Sequence, residues 1–92
     1  MSNKVIHKYP LELNDSTVLP LPKDAKVLFV GEQHDRLMLW AEVDAEPGPP
    51  EARVFAIAGT GQEFKPDALT YLNSVQTRRG YVWHVYEAEV RP

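Results

Sequence analysis

The fold of this chain is decided by residues Lys26 to Asp44, KVLFVGEQHDRLMLWAEVD, which predict two β-strands joined by a short polar turn. In the first strand, Val27 to Val30, every position is apolar, so both faces are expected to be buried. In the second, the odd positions from Leu37 to Val43 are apolar, whereas the even positions are mixed. The polar residues Gly31 to Arg36 are expected to hold the reversal. Because two strands alone are marginally stable in water, the rest of the chain must cover them.

The residues before this hairpin predict further extended segments. Residues 4–13, KVIHKYPLEL, alternate in polarity, and Pro10 places this strand at a sheet edge or ends it locally, because proline cannot donate to the ladder. Thr17 to Leu21 predicts a short extended piece, which its prolines keep out of a sheet interior. After the hairpin, residues 45–51, AEPGPPE, predict an exposed irregular loop.

Strands are also predicted in the C-terminal half. Arg53 to Gly59, RVFAIAG, carries small alanines on one face, which suggests that another element packs closely there. Tyr81 to Val90, YVWHVYEAEV, is rich in aromatic and β-branched residues and predicts the last strand.

Residues 67–76, DALTYLNSVQ, fit two structures. A helix beginning at Pro66 would stack Leu69, Leu72 and Val75 on one side. A strand is favoured from Thr70 onward, because Thr, Tyr, Asn, Ser and Val are poor helix formers. Gly80 would then supply a positive φ at the hairpin end.

Together these segments predict an all-β, mainly antiparallel fold of six or seven strands. It is expected to be a small sandwich or a partly open barrel, with one short helix near residues 66–76 as the open alternative. A length of 92 residues predicts a single domain over residues 1–92. A chain this short gains stability from self-association, so a homo-oligomer is expected.

Composition excludes several classes of protein. Apolar content of 43% with 25% charged residues excludes wholesale disorder. The absence of cysteine excludes disulfides, thiolate metal sites and a cysteine nucleophile. No window approaches the roughly 18 apolar residues of a membrane span, and the polar N-terminus lacks a signal-peptide core, so no membrane partner is expected. A net charge of −3 with scattered basic residues weighs against binding of duplex nucleic acid.

Several segments together carry a family resemblance: HKYPLEL near the start, LPKDAKVLFV followed by LMLWAEVD, RVFAIAGTG, YLNSVQ, and VWHVYE near the end. In this order they resemble a family of small proteins encoded by tailed bacteriophages and prophages, over nearly the whole chain. The resemblance implies a phage origin and action in the host bacterial cytoplasm. It carries no activity, cofactor or catalytic residue. Small phage accessory proteins without enzyme motifs are often anti-defence factors.

The first candidate site is Gly59-Thr60-Gly61 at a predicted strand end. Its backbone amides would let a phosphate or another anion approach closely, with the Thr60 hydroxyl as a further donor. It is not a P-loop, because no GK[ST] sequence follows. A tight turn or bulge that needs glycine is the simpler and favoured interpretation.

The second candidate is Arg78-Arg79, at a predicted hairpin tip close to Tyr81 and Trp83. Two guanidinium groups beside aromatic rings are suited to clamp an anionic ligand or an acidic patch on a partner. A solvated turn is the alternative. Together with Gly59 to Gly61, the residues Arg78, Arg79 and Trp83 are predicted to bind a small anionic or nucleotide-like ligand.

The third candidate is Trp40, which shares a strand face with Glu42 and Asp44. Because carboxylates are rarely buried, Trp40 is expected at a partner interface or pocket rim, with a core position as the equal alternative. Trp40 and Glu42 are therefore predicted to contact a partner protein.

No catalytic or metal site stands out. His7, His34 and His84 have no metal-ligand spacing, and His84 is expected to be a packed, hydrogen-bonded histidine rather than a catalytic base. No arrangement of paired carboxylates or of Ser, His and Asp is recognisable, so no cofactor, no metal and no enzymatic activity are expected.

The sequence thus predicts a non-enzymatic, phage-encoded accessory protein with an anti-defence role. The first hypothesis is sequestration of a nucleotide-like signalling ligand by a homo-oligomer. The alternatives are a protein-protein inhibitor or adaptor that binds a host protein, a structural or assembly protein of the phage particle, and a small metal-independent enzyme.

Overall fold

The computed structural model describes residues 3–89, which form a sandwich of two antiparallel sheets. The strands are β1 Lys4–Leu11, β2 Ser16–Pro22, β3 Lys26–Gln33, β4 Arg36–Asp44, β5 Pro50–Gly59, β6 Leu69–Gln76 and β7 Val82–Ala88. One sheet has the order β1-β4-β3, and the other has the order β2-β5-β7-β6. The all-β prediction is confirmed, as is the strand interpretation of β6. Within residues 3–89, no helix is long and apolar enough to cross a membrane.

The central hairpin reverses at His34 and Asp35, which have positive φ values of 55° and 63°. Two left-handed residues make a two-residue hairpin turn of the I′ type, whose twist matches that of the flanking strands. The reversal lies within the predicted polar segment, but it is shorter than predicted. Residues 31–33 continue β3 instead of belonging to the loop.

The prediction that β3 is buried on both faces is wrong. Val27 pairs with Ala41 and Phe29 pairs with Trp40, so Leu28 is the extra residue of a β-bulge. The bulge changes the phase of the alternation. As a result Leu28 and Phe29 are 43% and 54% exposed, although Val27 packs against the core.

A single core lies between the two sheets. The alternation predicted for β4 is confirmed, because its odd-numbered residues all point inward. The core contains Leu11, Leu21, Ala25, Val30, Leu37, Leu39, Ala41, Val43, Phe55, Ile57, Val75 and Val85. Phe55 and Leu39 are fully buried, and burial of such a side chain contributes roughly 1.5–3 kcal/mol to stability.

Asn73 joins the edge of one sheet to the edge of the other. The Val30 amide donates to Asn73 Oδ1 at 2.9 Å, and Asn73 Nδ2 donates to the Val30 carbonyl at 2.6 Å. The register of β6 shifts between Tyr71 and Asn73, which turns this side chain toward β3. The side-chain amide thus takes the place of a backbone partner for Val30 and joins β6 to β3.

Arg53 provides a second connection. Its Nε and Nη2 atoms donate to the two carboxylate oxygens of Glu87 at 2.6 and 2.7 Å, and Nη1 donates to the carbonyl of Ala25 at 2.5 Å. The hydrogen bond with Glu87 raises the pKa of Arg53. The contact with Ala25 ties the four-stranded sheet to the turn that precedes β3.

The opposite edges, β1 and β2, are the outer strands of their sheets, as Pro10 and the prolines of β2 predict. Several boundaries differ from prediction. β2 is one residue longer at each end, and β7 ends at Ala88, before Glu89. β1 ends two residues early, and β7 begins one residue late. β5 begins at Pro50, inside the segment predicted to be irregular, because proline is tolerated as a first strand residue. Val90, predicted in the last strand, lies outside the described residues.

Candidate functional site

Each sheet has one face toward the core and one face toward solvent. We call the outward face of the sheet β2-β5-β7-β6 the four-stranded face. The register of the strands places on it Ser16, Val18, Pro20, Ala52, Val54, Ala56, Ala58, Leu69, Tyr71, Ser74, His84, Tyr86 and Ala88. None of these residues is an acid, a lysine or an arginine. Since the solvent face of an antiparallel sheet is usually polar, this composition is unusual.

Aromatic rings form a ridge on one side of the four-stranded face. Phe64 and Tyr86 have ring centroids 5.2 Å apart, and Tyr71 and Tyr86 are 5.4 Å apart. Phe64 comes from the loop of residues 60–68 between β5 and β6, and it is 45% exposed; Tyr71 is 54% exposed. Between this loop and the alanines of β5 lies a cleft of about 360 Å³. The loop thus lies beside the alanines, where the sequence predicts a closely packed element.

A chain of hydrogen bonds crosses the same face. Tyr71 OH contacts Ser74 Oγ at 2.7 Å, Ser74 Oγ contacts His84 Nδ1 at 2.7 Å, and His84 Nε2 contacts Thr60 Oγ1 at 2.9 Å. The Thr60 hydroxyl donates to the carbonyl of Val82 at 3.5 Å. We therefore assign the Nε2 proton to the bond with Thr60, which leaves Nδ1 to accept from Ser74.

Both ring nitrogens of His84 are thus hydrogen-bonded to hydroxyl groups, as expected for a packed histidine. In the part of the chain that the structure describes, neither nitrogen contacts a carboxylate. The pair of Ser74 and His84 therefore lacks the acidic group that orients the histidine of a Ser-His-Asp triad.

The outward face of the other sheet, which we call the three-stranded face, has a different composition. It carries Lys4, Ile6, Lys8, Pro10, Lys26, Phe29, Arg36, Met38, Trp40, Glu42 and Asp44. Phe29 and Trp40 lie at its centre with ring centroids 5.8 Å apart. Charged side chains surround them, and Lys8 Nζ donates to Gln33 Oε1 at 2.6 Å. An aromatic centre with a charged rim is the usual composition of a protein-recognition surface.

The structure places the predicted partner-binding residues Trp40 and Glu42 on this face. It adds Phe29 and Ile6, which sequence reasoning missed. For Phe29 the reason is the bulge at Leu28, since the sequence predicted that both faces of this strand are buried. The sequence signal for this position of Phe29 is Gly31. A Cβ atom at residue 31 would lie 2.5 Å from Phe29 Cε2. The ring therefore lies over this glycine and shields it.

The predicted ligand-binding residues are neighbours at one end of the four-stranded sheet. Gly59 pairs with Trp83, and a Cβ at Gly59 would lie 3.1 Å from the indole ring. The indole nitrogen of Trp83 donates to Thr77 Oγ1 at 3.3 Å. An open cleft of about 450 Å³ lies beside them. It is lined by Gly59, Thr60, Gly80, Tyr81, Val82 and Trp83.

Two of the three amides predicted for anion binding already have acceptors. The Gly59 amide donates to Gln62 Oε1 at 2.9 Å, and the Thr60 amide donates to the carbonyl of Val82 at 3.3 Å. Gly61 has a φ of 88°, which glycine adopts without strain. The tight-turn interpretation therefore accounts for both glycines.

Arg78 and Arg79 occupy an exposed turn in which the Gly80 amide donates to the carbonyl of Thr77 at 2.9 Å. Among residues 3–89 neither guanidinium forms an ion pair. Gly80 has the positive φ predicted for it, 87°. Arg36 lines a further cleft with Thr77 and Trp83, so it is another basic group at this end of the sheet.

The remaining histidines do not form a site. His7 is exposed and lies edge-on to Tyr9 with ring centroids 6.5 Å apart, and His34 lies in the central turn. Within the described range 3–89, no group of three His, Cys, Asp or Glu residues has the arrangement of a metal site.

A family model described as a domain of unknown function, DUF7352, matches residues 2–92. No curated protein and no solved structure matches the chain.

Proposed function

The chain belongs to the DUF7352 family, and from the geometry above we propose that it is a non-enzymatic binding protein that recognises a partner protein through its three-stranded face. One observation carries this proposal: Phe29 and Trp40 stack 5.8 Å apart on an outward sheet face, with Phe29 half exposed. A large aromatic side chain exposed beside a second one is costly in water, and such pairs supply most of the affinity of many interfaces.

The charges around the aromatic pair indicate the chemistry of the partner. The three-stranded face carries the basic residues Lys4, Lys8, Lys26 and Arg36 and the acidic residues Glu42 and Asp44. It is therefore net basic on a chain whose net charge is −3. Complementary charges steer association and fix orientation. The partner is a protein with an apolar pocket inside an acidic surface.

The resemblance to phage proteins supports a biological setting for this binding. In that setting the chain is made in the host bacterial cytoplasm, and the partner is a host defence protein that the three-stranded face covers. Because inhibition by covering a surface needs no chemistry, the hydrogen bonding of both His84 nitrogens to hydroxyl groups is consistent with this role.

The test is affinity capture from a bacterial host lysate with the wild-type protein, the double variant Phe29→Ala/Trp40→Ala and the control Leu13→Ser. Leu13 is exposed and lies on neither face, so its replacement leaves the aromatic pair in place. We expect the wild type and the control to retain the same stoichiometric protein. With that protein purified, Trp40→Ala should weaken binding by about 30-fold or more, as expected for loss of a hot-spot residue of about 2 kcal/mol. Equal capture by the double variant would contradict the proposal.

A second candidate function is sequestration of a small anionic or nucleotide-like ligand by a homo-oligomer. The observation that favours it is the cleft of about 450 Å³ beside Trp83, next to the two arginines that lack ion pairs among residues 3–89. Native mass spectrometry of the purified protein would reveal a retained nucleotide. The variant Arg78→Ala/Arg79→Ala should lose that ligand, whereas Lys23→Ala, at a distant exposed turn, should keep it. A wild-type protein that retains no small molecule would contradict this candidate.

A further inference from the structure

We propose that the four-stranded face packs against the same face of a second copy of this chain and forms a twofold homodimer. This interface is separate from the three-stranded face, which lies on the other side of the sandwich. The dimer would therefore present two partner-binding faces to solvent.

The exposed area of the chain supports a permanent partner. The solvent-accessible surface of the chain is 6522 Å² for a mass of 10.4 kDa. A folded monomeric protein of this mass exposes about 5,400 Å², so the surplus is about 1,100 Å². A stable interface of standard size buries about 800 Å² on each partner. The surplus is therefore large enough to supply one subunit's share of a dimer.

The distribution of charge identifies the partner as a second copy. Two chains of net charge −3 repel each other, and in a twofold interface each face meets an identical set of charges. The strands of the four-stranded face contribute no acid, lysine or arginine at the residues defined above. Around its cleft the charged residues are Asp15, Glu63 and Lys65. Two copies can thus approach through this face with few like-charge contacts, whereas the three-stranded face would bring four basic groups against four others.

The shape of the four-stranded face is complementary to that of a second copy related by a twofold axis. On one side stand the large rings of Tyr71 and Tyr86 with Phe64 beside them, and on the other side β5 presents the small side chains of Ala52 and Ala56. A twofold axis parallel to the strands places the high side of one copy over the low side of the other. The cleft of about 360 Å³ beside Phe64 then receives a side chain of the partner copy. Two sheets packed in this way lie about 10 Å apart.

Burial of this face leaves its hydrogen-bonded polar chain intact. The hydroxyls of Tyr71, Ser74 and Thr60 and both nitrogens of His84 already have partners within the chain. Because the cost of burying polar atoms arises when their hydrogen bonds are lost, these groups add little to the cost of association.

The test is the molecular mass in solution, measured by analytical ultracentrifugation. We expect about 21 kDa for the wild type, twice the 10.4 kDa of one chain. Ala56→Arg places a charge at the centre of the face and should weaken dimerisation by about 100-fold or more, since an unpaired charge would be buried. Val18→Glu is a second variant, at a position that is exposed in the single chain, and it tests the same face without a risk to folding. Ile6→Glu, on the three-stranded face, is the matched control and should remain dimeric.

The salt dependence of the dimer dissociation constant provides an independent measurement. Because the strand positions of the face carry no charged residue, and Asp15, Glu63 and Lys65 line only its cleft, the dissociation constant should change less than about threefold between roughly 0.05 and 1 M NaCl. A wild type that sediments as a monomer at tens of micromolar would overturn the proposal. It would also be overturned if folded Val18→Glu stayed dimeric, or if Ile6→Glu were the variant that dissociated.

Discussion

The two outward faces of this sandwich follow the same alternation along their strands, but they differ in where charge is placed. The three-stranded face surrounds Phe29 and Trp40 with six charged residues, whereas the four-stranded face has none at the positions defined above. Both faces expose aromatic rings. Apolar exposure alone therefore does not distinguish the two surfaces, and under the two proposals above charge decides which partner each surface accepts.

Charge has this effect because the two kinds of interface have different requirements. An interface between identical copies must avoid contacts between like charges. It needs no electrostatic steering of association, because the two partners are produced together. An interface with a different protein gains specificity and association rate from complementary charges around an apolar centre. The composition of the two faces fits this division, with self-association on one side of the sandwich and selective recognition on the other.

The largest predicted effect concerns the hydrogen bonds of Asn73, which join β6 of one sheet to β3 of the other. Asn73→Ala removes the partners of both the amide and the carbonyl of Val30. Since each unpaired backbone group costs about 1–2 kcal/mol, the free energy of unfolding should fall by about 2–4 kcal/mol. Urea denaturation measures this loss, and Gln76→Ala, at an exposed position of the same strand, should cost about 0.5 kcal/mol or less.

If Asn73→Ala cost no more than Gln76→Ala, the two sheets would be held by the core and by the contact of Arg53 with Ala25. The hydrogen bonds of Asn73 would then contribute nothing to the coupling of the two faces.

A smaller effect is predicted for the aromatic centre of the three-stranded face. Gly31→Ala places a Cβ atom where the ring of Phe29 lies, so the ring must move away from the sheet. We expect a loss of about 1–2 kcal/mol in the free energy of unfolding, the usual cost of overpacking. In a Phe29→Ala background the same replacement should cost about 0.5 kcal/mol or less, because the ring is absent. A double-mutant cycle by urea denaturation measures this coupling. Equal costs in both backgrounds would show that Phe29 does not lie over Gly31.

The sequence was sufficient to predict the fold class. The alternation of Leu37, Leu39, Ala41 and Val43 requires a strand with one buried face, and the structure has it. The prolines of β1 and β2 correctly predicted edge strands. What could not be predicted was the bulge at Leu28, because an apolar run such as Val27 to Val30 has the same pattern with or without an extra residue.

The surfaces were partly predictable, for a related reason. For Trp40 the sequence left an interface position and a core position as equal alternatives, and the register of β4 puts it on the outward face with Glu42 and Asp44. The uncharged four-stranded face was not recognised, because it combines residues from four strands whose order the sequence does not reveal. Its one local signal was the pair Ala56 and Ala58, small apolar residues on the second face of β5. The proximity of Gly59 to Trp83 likewise depends on the pairing of β5 with β7.

The smallest predicted effect is a gain in stability at the loop that carries the aromatic ridge of the four-stranded face. Ala68 has a φ of 59°, in a turn where the Leu69 amide donates to the carbonyl of Pro66 at 3.1 Å. A non-glycine residue in this conformation costs about 1–2 kcal/mol, and glycine removes that strain while adding freedom to the unfolded chain. Ala68→Gly should therefore raise the free energy of unfolding by about 0.5–1 kcal/mol. The same replacement at Ala45, whose φ is not positive, should lower it.

Thermal or urea denaturation of the two variants provides the measurement. Because the turn at Ala68 lies beyond Phe64 in the loop, relief of its strain should leave the aromatic ridge and the mass in solution unchanged. A gain in stability with an unchanged mass in solution would show that the strain at Ala68 is independent of the packing of the four-stranded face. A loss of stability would mean that the carbonyl of Ala68, which accepts from the Glu89 amide at 2.8 Å, depends on the side chain to hold its position.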